Sequence, residues 1–251
     1  MPKVNILGVL VNVIDTGGLH AAISESIERK RKDLYAYVNI NAINIAQHDK
    51  RFRAILNRAH VVYCDGEGVR LGGKVLGHHL PPRVVLTYWI WELCSLFEKR
   101  GFSVFFLGST EQFVREAVER VRNRYPGIKI AGSHHGYFDK HGKENDAVLQ
   151  MIHDAQPDVL IVGFGMPMQE FWIEENFDRL AAHVILPAGS MIDYTAGRKG
   201  LAPRWMANHG MEWLFRLLQE PGRLWKRYLI GNPVFMVRIL WEVVRKGKKG
   251  E

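Results

Sequence analysis

The sequence predicts an α/β fold with a mainly parallel sheet flanked by helices, followed by a basic, amphipathic helical C-terminal appendage. Short runs of Val, Ile, Leu and Phe alternate with stretches of helical periodicity, the pattern of parallel β-α units. Several of these runs end directly in glycine-containing loops, where open parallel sheets bind ligands. Residues 198–251 contain 12 Lys and Arg against 4 Asp and Glu, whereas residues 1–197 contain 22 of each.

Length and composition define the class of protein. A chain of 251 residues can form one α/β domain with an appendage, and we place the boundary between residues 1–200 and 201–251. The opening residues lack the pattern of a signal peptide, and no apolar stretch approaches the ~18 residues needed to span a bilayer. Cys64 and Cys94 match neither a zinc site nor a redox motif, so we expect a cytoplasmic protein.

Strands and helices alternate along the first 190 residues. Thr110 and Glu111 open a helix after a glycine loop, and Asp15 or Thr16 can cap the first helix. In chain order the predicted elements are a strand or hairpin at 4–14, a helix that runs through Ile27 to the basic cluster at 29–32, strands at 34–38 and 59–64, a helix at 86–99, a strand at 103–107, a helix at 111–124, a strand at 128–131, a helix at 143–154, a strand at 159–162, a helix after Pro167 and a strand at 182–186.

The loop after strand 159–162 is the first candidate ligand site. Gly163 and Gly165 let backbone N–H groups approach a ligand, and the helix N-terminus that follows favours an anion such as phosphate. Gln169 and Glu170 can form specific hydrogen bonds from the first turn of that helix. The alternative is a simple tight turn, in which Glu170 only complements the helix dipole.

Polar side chains also follow two earlier strands. Asn39 and Asn41 come after strand 34–38, and their amides suit sugar hydroxyl groups, although one of them, expected to be Asn41, caps the next helix. Asp65 follows strand 59–64 beside two glycines and is the candidate general base. The alternative for Asp65 is a residue that closes a turn or caps a helix.

Two further loops could contact a nucleotide. Gly108 lies between a strand and a capped helix, as in half of a nucleotide-binding unit, although the chain has neither the dinucleotide fingerprint nor a phosphate-binding loop motif. Tyr137 follows Gly136 in a loop that could stack a base. Asp193 could touch a ligand or shape a turn.

The C-terminal part has a different character. We expect a helix from Pro203 that contains Trp205 and Trp213, a second helix from Pro221, and an interruption at 231–233 before a last helix at 234–244. Tryptophan interleaved with Arg and Lys on an amphipathic helix is typical of an interfacial membrane anchor. The alternative is a helical cap that packs on the sheet with a solvated basic side.

These segments resemble the WecG/TagA/CpsF family of bacterial glycosyltransferases. The resemblance spans roughly residues 4–230 in consistent order, and the Gly-x-Pro-x-Gln-Glu and Glu-Trp-Leu-x-Arg segments are its most specific parts. The matching residues are Asp65-Gly-Glu-Gly68, Arg83-Val84, Gly108, Gly136-Tyr-Phe138, Gly163-Phe-Gly-Met-Pro-Met-Gln-Glu-Phe-Trp172, Asp193 with Ala196-Gly197, Ala202-Pro-Arg-Trp205, Glu212-Trp-Leu-Phe-Arg216, Glu220-Pro-Gly-Arg223 and Arg227-Tyr228.

The resemblance implies an inverting transferase with a Rossmann-like catalytic domain and a membrane-associating tail. It would move a sugar of the N-acetylmannosamine, mannosaminuronate or glucose type from a UDP-sugar to a polyprenyl-diphosphate-linked saccharide, in the synthesis of cell-surface polysaccharide such as exopolysaccharide or capsule. Asp65 would be the catalytic base. The candidate acceptor or lipid-diphosphate residues are Arg83, Arg216, Arg223 and Arg227. The candidate donor residues are Asn39, Asn41, Gly108, Tyr137, Gly163, Gly165, Pro167, Gln169 and Glu170.

The expected substrates follow from the same resemblance, and the expected membrane surface follows from the composition of the tail. They are the UDP-sugar, the polyprenyl-diphosphate-linked acceptor and the anionic inner face of the bacterial cell membrane, with self-association through the apolar face of helix 86–99 left open. The chain has no Asp-x-Asp pair, so we expect no metal site and no cofactor. We exclude nucleic acid because the positive charge is confined to a Trp-rich tail and no nucleic-acid-binding motif is present.

Three residues depart from the family pattern. Asn39 stands where the family usually has Thr, and Leu86 and Tyr88 stand where it usually has Gly and Asp. These departures leave a second hypothesis open, in which the chain is a catalytically altered protein that binds a nucleotide sugar on the same scaffold.

Overall fold

A computed structural model describes residues 1–203, 205, 206 and 209–247. It confirms the predicted α/β class, with a six-stranded parallel sheet flanked by helices and a helical C-terminal part. A separate two-stranded antiparallel hairpin precedes the sheet in sequence. Within the described residues, no helix combines the length and the apolar character that crossing a bilayer requires.

The strands form where the apolar runs predict them. The six-stranded sheet has the order β4-β3-β8-β7-β5-β6, and every residue of β7 is buried, which fits a central strand covered on both faces. The strands are β1 Lys3–Ile6, β2 Val9–Asn12, β3 Asp33–Val38, β4 Val61–Cys64, β5 Ser103–Gly108, β6 Lys129–His134, β7 Val159–Gly163 and β8 Val184–Pro187.

Most helices agree with the sequence pattern, but the helix Lys50–Arg58 was not predicted. Thr110 caps the helix that begins at Glu111, because its side chain accepts a hydrogen bond from the Phe113 N–H. The helices are α1 Thr16–Glu28, α2 Ile40–His48, α3 Lys50–Arg58, α4 Glu67–Val75, α5 Leu86–Arg100, α6 Glu111–Arg124, α7 Gly142–Ala155, α8 Met168–Asn176, α9 Met191–Thr195, α10 Glu212–Gln219, α11 Pro221–Trp225 and α12 Gly231–Gly247, with a 3-10 turn at Phe177–Arg179 and a π turn at Lys226–Ile230.

The chain forms two compact units that are not continuous in sequence. The first unit contains Met1–Asp15, Tyr37–Val84 and the described residues from Leu201 onward. The second unit contains Thr16–Ala36 and Val85–Gly200. The C-terminal helices therefore belong to the same compact unit as β1, β2, β4 and helices α2 to α4.

The last helix packs into the first unit through one of its faces. Phe235 and Ile239 of α12 are completely buried. A Cβ atom on Gly72 of α4 would lie 2.8 Å from the Phe235 ring, so only glycine permits this close contact. Asn44 of α2 donates a hydrogen bond to the Gly231 carbonyl over 2.8 Å and thereby fixes the start of α12.

The predicted interruption at residues 231–233 is wrong. The π turn leads directly into α12, and the Gly231 N–H donates to the Lys226 carbonyl. Pro233 has no N–H to donate to the helix. It is accommodated because it lies just after the π turn, where the helical hydrogen-bond register changes. The helix predicted from Pro203 is only partly described: residues 205 and 206 are helical, α10 begins at Glu212, and residues 204, 207 and 208 lie outside the described residues.

In the second unit, the apolar face of α5 is part of the core. Trp89, Leu93 and Phe97 are buried, which confirms the interpretation of this stripe as packing. Because this face is buried, it does not support self-association of the chain, which stays a prediction. An edge-to-face cluster of Phe138, Phe164 and Trp172 lies near the end of β7.

We expect the two faces of α12 to respond differently to truncation. Phe235→Ala removes a completely buried ring and should lower the free energy of unfolding by about 3–5 kcal/mol. Trp241→Ala on the same helix removes a ring that is 62% exposed and should change it by less than about 0.5 kcal/mol. Urea denaturation followed by far-UV circular dichroism measures both. Equal losses would contradict the packing of α12 through Phe235.

Candidate functional site

Asp65 lies at the carboxyl end of β4, in the first unit. Its backbone N–H donates to the Val38 carbonyl over 2.9 Å, and the Cys64 carbonyl accepts from the Val84 N–H over 2.8 Å. These two bonds fix the strand end on both sides of Asp65. Gly66, not Asp65, is the N-cap position of α4, so the proposed helix-capping role of Asp65 is not what the structure shows. Asp65 as a whole residue is half-buried at this strand end.

Asn39 caps a helix and also contacts Asp65. Its Oδ1 accepts from the Ala42 N–H over 3.1 Å, so Asn39 is the cap of α2 and the expectation that Asn41 caps this helix is wrong. The cap fixes the orientation of the amide, and Nδ2 then points to Asp65 Oδ2 over 3.4 Å. Gly66 allows this approach, since a Cβ atom there would lie 2.9 Å from the Asn39 Cβ. Asn41 lies in the first turn of α2 and is partly exposed; donor contact by either asparagine stays a prediction.

Three charged side chains accompany Asp65 in the same unit. Arg83 Nη1 donates to Glu212 Oε2 over 2.9 Å, and Arg216 Nε lies 3.7 Å from Glu212 Oε1. The side chains of Arg83, Arg216 and Glu212 are only 17%, 23% and 10% exposed. The structure therefore brings together four of the residues that the sequence predicts, and adds Glu212. Sequence reasoning gave Glu212 no role of its own, because it lies 129 residues from Arg83.

The surroundings of Asp65 raise its pKa above the usual value. Burial is the largest cause, and the nearby negative charge of Glu212 acts in the same direction. The positive charges of Arg216 and Arg83 and the hydrogen bond from Asn39 oppose the increase. A carboxyl group with a raised pKa is a better proton acceptor once it is ionised, which suits a general base.

The other two predicted arginines lie further along the tail. Arg223 on α11 is 60% exposed and forms an ion pair with Glu220 one turn earlier in the chain. Arg227 lies in the π turn, with its guanidinium 5.4 Å from the centre of the Tyr228 ring. Contact of these two residues with a diphosphate stays a prediction.

In the second unit, the glycines that end β5 and β7 and a glycine in the loop after β6 lie close together. Gly108 of β5 is paired with Gly163 of β7, and a Cβ atom on Gly108 would lie 2.5 Å from the Gly163 carbonyl oxygen. A Cβ atom on Gly136 would lie 3.0 Å from the Gly108 Cα atom. Close backbone packing therefore requires these glycines. Gly165 is different, because nothing lies within 4 Å of its Cβ position and its φ of +87° is what favours glycine.

Gln169 and Glu170 face the interior. Gln169 Oε1 accepts from the Gly165 N–H over 3.2 Å and from the Gly189 N–H over 2.9 Å, so this completely buried side chain ties the loop after β7 to the loop after β8. Its Nε2 donates to Glu170 Oε1 over 2.8 Å. Glu170 Oε2 is buried and has no hydrogen-bond partner among the described residues. Burial raises the pKa of Glu170 to about 7. Direct contact of either residue with a donor stays a prediction.

Ser109 is a site residue that the sequence did not single out. It adopts a φ of +59°, its carbonyl accepts from the Gly136 N–H over 2.7 Å, and its Oγ donates to Asp193 Oδ1 over 2.5 Å. Asp193 Oδ2 in turn lies 2.9 Å from Lys199 Nζ. Asp193 therefore holds the loop after β5, and contact of Asp193 with a ligand stays a prediction.

Tyr137 and Pro167 complete the predicted donor residues. Tyr137 is 77% exposed, so its ring is accessible to a planar ligand. The loop under it is fixed by Lys140, whose ammonium group donates to the Gly136 and Phe138 carbonyls over 2.6 and 2.7 Å. The Met166-Pro167 peptide bond is cis, and Pro167 directly precedes α8.

No group of three or more His, Cys, Asp and Glu side chains within residues 1–203, 205–206 and 209–247 is arranged to hold a metal ion. The protein therefore belongs to the class of α/β proteins with a parallel sheet and polar strand ends. Glycine loops follow the strands of the second unit, and a carboxylate lies with two arginines in the first unit. Such strand ends are where open α/β sheets bind ligands.

Comparison with known proteins identifies the family. The model of the glycosyl transferase WecG/TagA/CpsF family matches residues 4–249. An N-acetylglucosaminyldiphosphoundecaprenol N-acetyl-beta-D-mannosaminyltransferase of Bacillus spizizenii is 30% identical over 195 residues, which are 78% of this chain and 74% of the relative. A protein of the same name from Staphylococcus aureus is 31% identical over 215 residues, or 85% of this chain and 81% of the relative. The chain therefore belongs to the WecG/TagA/CpsF family of glycosyltransferases.

The raised pKa of Glu170 predicts a stability that depends on pH. In the unfolded chain this carboxyl group loses its proton near pH 4.5, whereas in the folded protein it does so near pH 7. The folded state thus holds a proton that the unfolded state has lost, so stability decreases as pH rises through this range. Glu170→Gln has no carboxyl group to titrate, so its stability should not decrease in this pH range. Relative to the wild type, it should be more stable by about 3 kcal/mol at pH 8 and almost equally stable at pH 4.5.

Urea denaturation at both pH values tests this expectation. Glu119→Gln on α6 is the matched control, because Glu119 is exposed and its replacement should alter neither measurement. A Glu170→Gln variant whose stability differs from that of the wild type by the same amount at both pH values would contradict the role of burial.

Proposed function

We propose that this chain is an inverting glycosyltransferase that moves a sugar from a UDP-sugar to a polyprenyl-diphosphate-linked saccharide. The proposal is supported mainly by relatives that match about four-fifths of the chain and share one name. That name states an N-acetylmannosaminyl group as the transferred sugar and N-acetylglucosaminyldiphosphoundecaprenol as the acceptor. N-acetylmannosamine is accordingly the first candidate donor sugar, followed by mannosaminuronate and glucose. Synthesis of cell-surface polysaccharide such as exopolysaccharide or capsule is the process in which such a reaction would serve.

Asp65 is the residue we assign to the proton transfer. In a direct displacement, the acceptor hydroxyl oxygen forms a bond to the anomeric carbon as the bond to the UDP oxygen breaks, and the configuration inverts. UDP leaves with the bonding electron pair, and the Asp65 carboxylate receives the hydroxyl proton. The place of Asp65 at the end of a buried strand and the raised pKa of its carboxyl group support this assignment.

Positive charge and backbone amides supply the remaining needs of the reaction. Arg83 and Arg216 are mostly buried cations in the unit of Asp65, and we assign them to the acceptor diphosphate. Arg223 and Arg227 are further candidates for the lipid-linked diphosphate. In the second unit, we assign the backbone at Gly108, Gly163 and Gly165 to the donor phosphates, and the exposed ring of Tyr137 to the uracil base.

A membrane surface is the partner we assign to the tail. Besides its buried face, α12 presents an exposed apolar stripe at i, i+3, i+4 and i+7. Its members are Val237, Leu240, Trp241 and Val244, with exposures of 65%, 56%, 62% and 56%. Core packing does not explain this stripe, because Phe235 and Ile239 already form the inward face.

The basic residues of the tail favour an anionic surface. The 12 Lys and Arg in residues 198–251 outnumber the 4 Asp and Glu threefold, and the tryptophans at 205, 213, 225 and 241 are all exposed. Exposed tryptophan with neighbouring cations is the composition of helices that lie in the headgroup region of a bilayer. We therefore propose a peripheral location on the inner face of the cell membrane.

We expect acceptor-dependent UDP release that requires Asp65. With UDP-N-acetylmannosamine and a detergent-dispersed polyprenyl-diphosphate-N-acetylglucosamine, Asp65→Asn should lower the rate ~10²-fold or more, since it removes the general base. Asp146→Asn, which alters an exposed aspartate of α7, should leave the rate unchanged. EDTA should have no effect, because the chain lacks the Asp-x-Asp pair that holds a metal ion in many nucleotide-sugar enzymes.

The result also separates the proposal from its alternative. If UDP binds but no donor of the N-acetylmannosamine, mannosaminuronate or glucose type releases it, the chain is a nucleotide-sugar-binding protein. Asn39, Leu86 and Tyr88, which depart from the family pattern, would then be the first residues to restore to Thr, Gly and Asp. Loss of activity with EDTA would overturn metal independence alone.

We expect the tail to bind anionic vesicles through the exposed stripe of α12. The wild type should float with vesicles of phosphatidylcholine and phosphatidylglycerol, and Trp241→Glu should abolish most of this binding because it places a charge on the apolar stripe. Met151→Glu alters an exposed apolar residue of α7 in the second unit and is the matched control. Equal flotation of all three proteins, or retention on DNA instead of vesicles at physiological salt, would contradict a lipid surface.

A further inference from the structure

Glu212 is a buried charge between two arginines. It is the first residue of α10, and its two carboxylate oxygens have different partners. Oε2 accepts from Arg83 Nη1 over 2.9 Å, and Oε1 lies 3.7 Å from Arg216 Nε. A carboxylate that is only 10% exposed is costly unless it is paired, so these contacts hold Glu212 where it is.

Asp65, in the same unit, has a different set of partners. Among the described residues, its carboxylate has one side-chain hydrogen bond, the 3.4 Å contact from Asn39 Nδ2, and no arginine lies within ion-pair distance of it. The charges of Arg216 and Arg83 nevertheless act on Asp65. The titratable or charged groups that face Asp65 from the packed elements are Arg216 and Glu212 of α10, Arg83 of the segment before α5, and Tyr63 and Cys64 of β4.

An arginine in direct contact with Asp65 would oppose catalysis. A guanidinium bound to a carboxylate stabilises the ionised form and so weakens it as a proton acceptor. Arg216 and Arg83 are long, cationic and close enough to affect Asp65, so a competing anion is needed to keep them from it. Glu212 is such an anion, since it takes a nitrogen atom from each arginine.

We propose that Glu212 is a positioning residue, whose carboxylate holds Arg83 and Arg216 beside Asp65 and prevents either of them from pairing with the base. This inference deepens the proposed function and rests on it. Once Asp65 has accepted a proton, the two arginines and Glu212 leave a net positive charge of one, which favours an anionic diphosphate.

The test measures the titration of Asp65 directly. Aspartate labelled with ¹³C at the side-chain carboxyl group gives a resonance for Asp65 that is identified by its absence in Asp65→Asn. We expect its titration midpoint to move to lower pH in Glu212→Gln, because the amide keeps the shape of the side chain but loses the charge that competes for the arginines. In Glu212→Asp, which keeps the charge, the midpoint should stay nearer to that of the wild type, and this variant also serves if Glu212→Gln folds poorly.

A matched control is available on α1. Glu25 also lies between two arginines, with Arg29 Nε at 3.3 Å and Arg31 Nη1 at 3.5 Å, but its side chain is 49% exposed and belongs to the second unit. Glu25→Gln should leave the Asp65 midpoint unchanged. An Asp65 midpoint that is the same in the wild type and in Glu212→Gln would overturn the inference, as would an equal shift in Glu212→Gln and Glu212→Asp.

The transfer reaction gives a second and independent result. The acidic limb of the rate profile should move to lower pH in Glu212→Gln together with the Asp65 midpoint, with a loss in kcat of ~10-fold or more. A purely structural role would lower kcat without moving this limb. If the wild type transfers the sugar but the Asp65 midpoint is the same in Glu212→Gln, only the role of Glu212 is overturned. A moved midpoint in a protein that transfers no sugar supports the role of Glu212 as a shield of Asp65 and overturns the proposed reaction.

Discussion

The arrangement of the first unit depends on how charge is balanced at the carboxyl end of β4. Asp65 directly follows a strand whose four residues are buried, and burial alone would favour a neutral carboxyl group. The surrounding residues offset this preference only in part, through one amide hydrogen bond and two arginines that are themselves engaged by Glu212. Asp65 is therefore neither fully neutralised nor fully paired, and this intermediate state is what a proton acceptor requires.

In the second unit, the polar side chains mainly hold the loops in place. Gln169 joins two loops by accepting from the N–H groups of Gly165 and Gly189, and Ser109 joins the ends of β5 and α9 through Asp193. The glycines at the strand ends are there because other backbone atoms occupy the space of a side chain. Substitutions at these positions would act first through the geometry of the loops and only then through contact with a ligand.

Local sequence signals predicted much of this structure, and long-range pairing explains what they missed. Apolar periodicity predicted most strands and helices to within a few residues, since one buried face is enough to define each element, but it did not predict α3. Asp65 was chosen as the candidate base because a carboxylate follows an apolar run and precedes glycines, and its role stays a prediction. Asn39 and Asn41 are equally good caps by residue type, so only the backbone could show which one caps α2. No local pattern can pair Glu212 with Arg83, or assign the last helices to the unit that contains β4.

The two faces of α12 connect lipid binding with folding. One face, with Phe235 and Ile239, is part of the core of the unit that contains Asp65, while the opposite stripe is exposed. A surface that binds the exposed stripe of the folded helix, and does not bind the unfolded chain, stabilises the whole unit by mass action. The conformational stability of the unit that holds the candidate base would then vary with the amount of lipid surface in the cell, so that the protein would be most resistant to unfolding where its lipid-linked substrate resides.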